Sequence, residues 1–171
     1  LDAQLTVGLP SHVSAATGVD AMVHAIEAFT SKAKKNVYSD MLAKQALLLL
    51  SANIRQVCTD GSDLNARQWM LLGSMLAGQA FANAPVAAVH ALAYPLGGHF
   101  HVPHGLSNSL VLPPVLRFNA GAASALYAQL LDYVKPGAAF TTDSAKCDAF
   151  IEEMESIIDD VELPKTLRDC G

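Results

Sequence analysis

The segment from Gln68 to Leu116 contains no Asp, Glu, Lys or Arg, although it carries four of the chain's six histidines. A charge-free segment of this length is normally buried, and imidazole side chains are not needed for packing a core. The prolines and glycines between His90 and Gly105 interrupt any single long helix. A dry site equipped with imidazoles is therefore the first hypothesis, and a metal or catalytic centre is the function it favours.

Composition and length limit the class of protein. A chain of 171 residues is long enough for one well-buried domain and short for two, so we expect a single domain over 1–171. The net charge of -5 provides no basic surface, so nucleic acid is not an expected partner. Pro85, Pro95 and Pro103 divide the charge-free segment into pieces shorter than the ~20 residues that cross a membrane, so no membrane association is expected. Three scattered cysteines without a CxxC pair suit a reducing compartment, which predicts a cytoplasmic protein.

The hydrophobic pattern predicts an all-α, bundle-like domain. Val19, Met22, Val23, Ile26 and Phe29 follow the spacing of one buried helix face. No pair of alternating strands is apparent in the sequence. The predicted helices run from Ser11 or Thr17 to Ser31, Val37 to Cys58, Asp63 to Phe81, Pro85 to Leu96, His104 to Phe118, Ala122 to Val134 and Asp143 to Asp160.

Three further features of chain organisation are predicted. Leu1 to Pro10 is interpreted as a strand or an extended connector. The pair Gly97-Gly98 is expected to end the fourth helix, because paired glycines are typical of helix ends. Pro164 is expected to begin one more helix near the C-terminus.

Asp20 and His24 are the first candidates for chemistry. Four residues apart on one helix, they lie on the same face and can point at a common centre, with Glu27 close to that face. The competing interpretation is structural: Thr17-Gly-Val-Asp20 fits a capping box, which would make Asp20 a residue of the helix start.

His90 and His104 strengthen the metal hypothesis. A helix with His90, an elbow rich in glycine and proline, and a second helix that begins at His104 would bring two imidazoles together. One Asp and three His favour Fe(II) or Zn(II), whereas calcium and magnesium prefer oxygen ligands. His99 and His101 compete as candidates in the same loop, and we expect them to line the cleft or face solvent.

Absent motifs narrow the reaction classes. The chain has no HExxH, no GxSxG, no GxGxxG and no GxxxxGK[ST] motif. No acidic residue occurs between Leu64 and Leu131, so a di-iron carboxylate bundle lacks ligands. A mononuclear metal site with few charges around it remains.

Longer composite motifs carry a family resemblance. They are Ala16-Thr-Gly-Val-Asp20-Ala-Met-Val-His24-Ala-Ile-Glu27, Ala80-Phe81-Ala-Asn83, Val89-His90-Ala-Leu-Ala-Tyr94-Pro-Leu-Gly-Gly98 and Pro103-His104-Gly-Leu-Ser-Asn108. With these motifs the chain resembles the C-terminal helical domain of the iron-containing (group III) alcohol dehydrogenases over nearly its whole length.

The resemblance implies roles for single residues. It places the family's four metal ligands on Asp20, His24, His90 and His104, and a wall of the substrate pocket on Phe81. Many members carry a second histidine where this chain has Tyr94. A tyrosine can relay a proton but is a poor general base near neutral pH, so Tyr94 is a catalytic candidate whose packed, structural role is an equal alternative.

The resemblance also implies an architecture and a reaction. The family is bipartite, so the chain is interpreted as a fragment without the N-terminal nucleotide-binding α/β domain and the last C-terminal helices. The intact enzyme would be an NAD(P)-dependent alcohol dehydrogenase that acts on a small alcohol or aldehyde with Fe(II), or Zn(II), and could form a homodimer. The isolated fragment is expected to be inactive.

Two alternatives stay open at the sequence level. One is a stand-alone helical metal-binding or interaction domain without redox activity. The other is a bipartite relative with different chemistry, such as a glycerol dehydrogenase, a maleylacetate reductase or a dehydroquinate synthase.

Overall fold

A computed structural model describes residues 1–170, and within them the chain is built from α-helices and short 3-10 helices without any strand. The all-α prediction is therefore confirmed. The helices are α1 (Ser11–Thr30), α2 (Val37–Thr59), α3 (Leu64–Asn83), α4 (Ala88–Phe100), α5 (His104–Val134) and α6 (Asp143–Asp160), with 3-10 helices at Ala3–Thr6 and Leu167–Cys170.

The first helix, α1, is the centre of the domain. It packs against α2, α3 and α5 and also touches α4, so almost every one of its faces meets another helix. The predicted apolar face of α1 is buried, and its members are at most 1% exposed: Val19, Met22, Val23, Ile26 and Phe29. Side chains of α1 with chemical function are consequently held inside the bundle rather than on its surface.

Side-chain caps fix the starts of several helices. Asn36 caps α2 and forms a reciprocal capping box with Ser39, and Asp63 accepts from Ala66 N at the start of α3, as predicted. The capping-box interpretation of Thr17 and Asp20 is wrong. Because α1 begins at Ser11, both residues are inside the helix, and the Thr17 hydroxyl donates instead to Val13 O at 2.7 Å.

The expected stop at Gly97-Gly98 is also wrong. The helix α4 continues through Pro95 and both glycines to Phe100, and it ends where His101 adopts the left-handed conformation at φ 56°. There the His101 N–H donates to Gly97 O and the Val102 N–H to Leu96 O, which satisfies the last carbonyls of the helix. The chain leaves α4 only at this point, and α5 begins three residues later at His104.

Three other boundaries differ from the prediction. The segments His104 to Phe118 and Ala122 to Val134 form one continuous helix, α5, through Pro113 and Pro114. Packing of α5 along α1, α4 and α6 holds the intervening residues helical where local sequence does not require it. Leu1 to Pro10 contains a 3-10 helix instead of a strand, and the segment after Pro164 forms only the 3-10 helix Leu167–Cys170.

Within residues 1–170, no helix has both the length and the apolar character needed to cross a membrane.

The start of α5 lies directly on the backbone of α1. A Cβ atom at Gly105 would lie 2.5 Å from Ala16 O and 2.8 Å from the carbonyl carbon of Ala16. These are backbone atoms of a buried helix, so they cannot move aside as a flexible side chain can. The absence of a side chain at Gly105 therefore allows α5 to bring His104 to α1.

Gly105→Ala is expected to lower the free energy of unfolding by about 1–3 kcal/mol, because the added methyl group overpacks the contact between α5 and α1. Urea unfolding followed by circular dichroism measures this change. Gly121→Ala, in the same helix but with open space around its Cβ position, is the matched control and should leave stability unchanged or raise it by up to about 1 kcal/mol. Equal stability of both variants would show that the close contact at Gly105 is not needed.

Candidate metal centre

The four side chains predicted as metal ligands come from three helices and converge on one side of α1. Asp20 and His24 lie one turn apart on α1, His90 lies in the first turn of α4, and His104 is the first residue of α5. Asp20, His24 and His90 each offer one ligand atom, and these three atoms lie within 4.8 Å of one another. The structure thus brings together residues separated by up to 70 positions in the chain.

His24 is oriented by its own helix. Its Nδ1 lies 2.8 Å from the backbone oxygen of Asp20, one turn earlier. A carbonyl oxygen can only accept, so Nδ1 carries the proton and Nε2 keeps its lone pair for another partner. The ring centroids of His24 and His90 are 4.3 Å apart, which sets the two imidazoles side by side.

His90 is the most buried of the three histidines, at 1% exposure. Its Nδ1 lies 2.7 Å from Glu27 Oε2. Its Nε2 is buried, has no hydrogen-bond partner, and faces Asp20 Oδ1 at 3.6 Å, which is too long for a hydrogen bond. A buried polar atom without a partner is costly in a folded protein, so this nitrogen indicates a position for a ligand.

His104 stands at the open side of the centre, with 48% of its side chain exposed. Its Nε2 is 3.6 Å from Asp20 Oδ1, although His104 is not part of the compact group of three. Asn108, one turn further along α5, lies between them: its side-chain amide donates to Asp20 Oδ1 and approaches His104 Nε2 to 3.1 Å. The Asn108 amide thus holds the carboxylate and the imidazole toward one another.

The charges of the centre favour a cation. Burial raises the pKa of Asp20, but His90, His24 and Asn108 outweigh this effect and hold its pKa below the ordinary value, so the carboxylate stays ionised. Burial lowers the pKa of His24. Burial would also lower the pKa of His90, but Asp20 and Glu27 raise it to about 9. The two carboxylates therefore stabilise positive charge at this point, whether a proton or a cation carries it.

Two distances within the centre are close to those expected around a small divalent ion. Ligand atoms at about 2.1 Å from a tetrahedral ion lie roughly 3.4 Å apart. The distance from Asp20 Oδ1 to His90 Nε2, and that to His104 Nε2, are both 3.6 Å. Three imidazoles and one carboxylate also form the donor set that iron and zinc accept.

Aromatic side chains border the centre. The ring of Phe81 lies 4.6 Å from that of His24, and the ring of Tyr94 stacks on His104 at 5.9 Å. A cleft of about 220 Å³ adjoins Asp20 and His24 between α1 and α3 and is lined by small side chains together with Phe81. Space for a small molecule therefore exists beside the centre, and Phe81 forms one wall of it.

The remaining histidines of the charge-free segment do not join the centre. His99 and His101 are exposed at the end of α4, as expected for cleft or surface positions. Two polar residues of the centre were not assigned roles from the sequence, namely Asn108 and the acceptor Glu27. The position of Asn108 four residues after His104 on one helix is a signal that could have found it.

The fold and the site together define an all-α domain that surrounds a histidine and aspartate centre suited to a divalent ion. Residues 14–171 match the family described as Fe-containing alcohol dehydrogenase family, C-terminal. The chain belongs to this family, and the resemblance seen in its sequence motifs is confirmed.

Named relatives agree with this assignment. The chain is 43% identical over 171 residues to long-chain-alcohol dehydrogenase 1 of Geobacillus thermodenitrificans, covering 100% of this chain and 43% of that protein. It is 38% identical over 170 residues to 1,3-propanediol dehydrogenase of Citrobacter freundii, covering 99% and 44%. A crystal structure of 1,3-propanediol oxidoreductase superposes with a TM-score of 0.96 at 38% identity, covering 99% of this chain and 44% of that one. The chain spans less than half the length of these relatives.

Asn108→Ala is expected to destabilise the metal-free chain by about 1–3 kcal/mol, because Asp20 Oδ1 and His104 Nε2 both lose their shared donor. Urea unfolding in the presence of EDTA measures the difference. Ser109→Ala is the matched control: the adjacent hydroxyl is also buried but has no hydrogen-bond partner, so its removal should cost much less. Similar losses in both variants would contradict the bridging role of Asn108.

Proposed function

We propose that this chain is the metal-binding catalytic domain of an NAD(P)-dependent, iron-containing alcohol dehydrogenase. Asp20, His24, His90 and His104 would hold one divalent ion, Fe(II) by family and Zn(II) as the alternative. The observation that supports this most directly is the buried Nε2 of His90, which lacks a hydrogen-bond partner and faces the ionised carboxylate of Asp20.

When bound, the ion supplies Lewis acidity toward the oxygen of an alcohol or aldehyde. The chain's own residues prepare the place for this chemistry. Asp20 supplies negative charge, and the hydrogen bond from His24 Nδ1 to the Asp20 carbonyl keeps that imidazole directed at the centre. The segment Gln68 to Leu116 places no formal charge around the site, and exclusion of water from the site would strengthen the field at a substrate oxygen.

The walls of the site support a small substrate. The cleft of about 220 Å³ beside Asp20 and His24 accommodates a short alcohol or aldehyde, and Phe81 would pack against its carbon chain. Tyr94 stacks on His104 and is 58% exposed, so its side chain borders the centre on the solvent side. We propose Phe81 as a pocket wall and Tyr94 as a proton donor or relay.

The parts of the proposed enzyme that lie outside this chain are inferred from its family. NAD or NADP would be bound by a nucleotide-binding domain outside these residues, in line with relatives more than twice as long as this chain. Hydride would pass between the nicotinamide and the substrate carbon across the cleft between the two domains. A homodimer and a cytoplasmic location stay predictions; Cys58, Cys147 and Cys170 are free thiols, which is compatible with a reducing compartment.

Two other functions are weaker candidates. A stand-alone metal-binding domain without redox activity would use the same four residues. The other candidate is a relative with different chemistry, for which the support is that maleylacetate reductase from Agrobacterium tumefaciens superposes with a TM-score of 0.79 at 27% identity. The higher score and identity of 1,3-propanediol oxidoreductase favour an alcohol or aldehyde substrate.

Metal analysis tests the assigned site. The chain, reconstituted with Fe(II) or Zn(II), is expected to bind one ion, and Asp20→Ala and His104→Ala are each expected to weaken that binding at least 10-fold because each removes a ligand. Equilibrium dialysis with elemental analysis provides the stoichiometry. His99→Ala removes an exposed histidine of the same segment and should bind like the wild type. Unchanged binding in both ligand variants would reject the site.

A dehydrogenase assay tests the architecture. The 171-residue chain is expected to show no NAD(P)H-dependent reduction of short aldehydes, because the nucleotide would be held elsewhere in the intact enzyme. The enzyme that includes the nucleotide-binding domain should be active under the same conditions. Absorbance of the nicotinamide measures both. Robust turnover by the chain alone would contradict the proposal that the nucleotide is bound outside these residues, and an inactive, metal-loaded intact protein would contradict the proposed dehydrogenase activity.

A further inference from the structure

Glu27 carries a buried carboxylate for which the proposed site has no direct use. The residue is 3% exposed and lies on α1, one turn beyond His24. A buried carboxylate is unfavourable unless several donors compensate it. Among the described residues, its one ion-pair partner is the imidazole of His90, and no Lys or Arg pairs with it. The reason for placing an acid here must lie in the donors around it.

Three N–H groups of one short segment donate to this carboxylate. Ala87 N donates to Oε2 at 2.9 Å, Val89 N donates to Oε1 at 2.6 Å, and His90 Nδ1 donates to Oε2 at 2.7 Å. All three belong to the first turn of α4 or to the residue just before it. The Glu27 side chain on α1 thus fixes both the first turn of α4 and the candidate ligand His90.

The contact acts first as a helix cap supplied by another helix. The residue before α4, Ala87, has no side chain able to cap, so the free N–H groups of the first turn depend on a distant acceptor. A carboxylate at that end also interacts favourably with the helix dipole. Glu27 therefore sets the position of the α4 backbone relative to α1, and with it the Cα position of His90.

The contact acts secondly on the imidazole itself. The carboxylate accepts the Nδ1–H of His90, which directs the Nε2 lone pair at Asp20 and His24. Imidazoles that bind metals commonly donate their second N–H to such an acceptor, because this fixes the tautomer and the ring angle. The same carboxylate thus determines both where the ring lies and which nitrogen is available.

We propose that Glu27 is a positioning residue that holds His90 for metal binding, by capping α4 and by accepting the Nδ1 proton of His90. This inference rests on the proposed metal site, since it concerns how one of its ligands is oriented. Glu27 would not be a ligand itself, because both of its oxygens accept hydrogen bonds from the start of α4 and from His90.

Glu27→Gln removes this function while keeping the shape of the side chain. A glutamine has one acceptor oxygen instead of two, so it cannot serve both the Val89 N–H and the pair formed by Ala87 N–H and His90 Nδ1–H. If its NH2 group faces His90, it donates to Nδ1, and in the neutral ring the proton moves to Nε2. In that tautomer His90 cannot bind the ion.

Binding of Co(II), a spectroscopic substitute for iron or zinc, tests the proposal in the 171-residue chain. Glu27→Gln is expected to weaken Co(II) binding about 10- to 100-fold, measured by competition with a chelator, and to shift the visible absorption bands of the bound ion. In a His90→Ala background, Glu27→Gln should change Co(II) affinity little, because the effect acts through His90.

Glu153→Gln is the matched control. Glu153 is also a buried carboxylate, held by Arg55 and Lys135 and without a hydrogen bond or ion pair to the candidate ligands. Its substitution is expected to reduce thermal stability without changing Co(II) affinity. A general loss of packing would instead weaken binding in both variants.

The outcomes separate the two levels of the proposal. A wild-type chain that does not bind Co(II) overturns the metal site. A wild-type chain that binds Co(II), with Glu27→Gln binding equally well or losing the same factor in the His90→Ala background, overturns the role of Glu27 alone. If Glu27→Gln does not fold, nitrogen-15 spectra of the zinc-loaded wild type decide: His90 should show a protonated Nδ1 and a metal-bound Nε2, and the reverse assignment would refute the proposal.

Discussion

The domain depends on burying two carboxylates of its central helix. α1 meets four other helices, and yet Asp20 and Glu27 lie on its buried or half-buried surface. Such groups are tolerable in a helical core only when donors or cations surround them. Here the donors come from α4 and α5: the amides of Ala87 and Val89, the imidazole of His90 and the amide of Asn108. The groups that compensate α1 therefore come from residues at or near the starts of α4 and α5.

The same compensation produces the functional geometry. His90 donates to Glu27, and Asn108 donates to Asp20. These contacts with α1 bring the imidazoles and the Asp20 carboxylate to one point. The backbone contact at Gly105 completes the arrangement by bringing the first residue of α5 to α1. The hydrogen bonds that compensate the buried carboxylates of α1 are thus the same interactions that assemble the candidate metal centre.

Much of this could be predicted from the sequence, for identifiable reasons. The buried face of α1 follows a regular spacing, and Asp63 occupies a cap position that local rules recognise. The four candidate ligands could be named because two lie one turn apart and the others flank an elbow. Helix ends were less predictable. The helix α4 includes Gly97 and Gly98 and ends only where His101 adopts the left-handed conformation. The role of Glu27 required distances across 60 or more residues, which no local pattern contains.

The sequence by itself determined the helical class, the apolar face of α1 and the residue types available for chemistry, since these follow from periodicity and from the donors each side chain carries. Only the tertiary structure decided which of those residues meet. His90 is separated from His99 by nine positions on one charge-free segment, but one is buried beside Asp20 and the other is exposed. The physical reason is that burial and hydrogen-bond compensation depend on the partners that other helices bring, and those partners are set by packing.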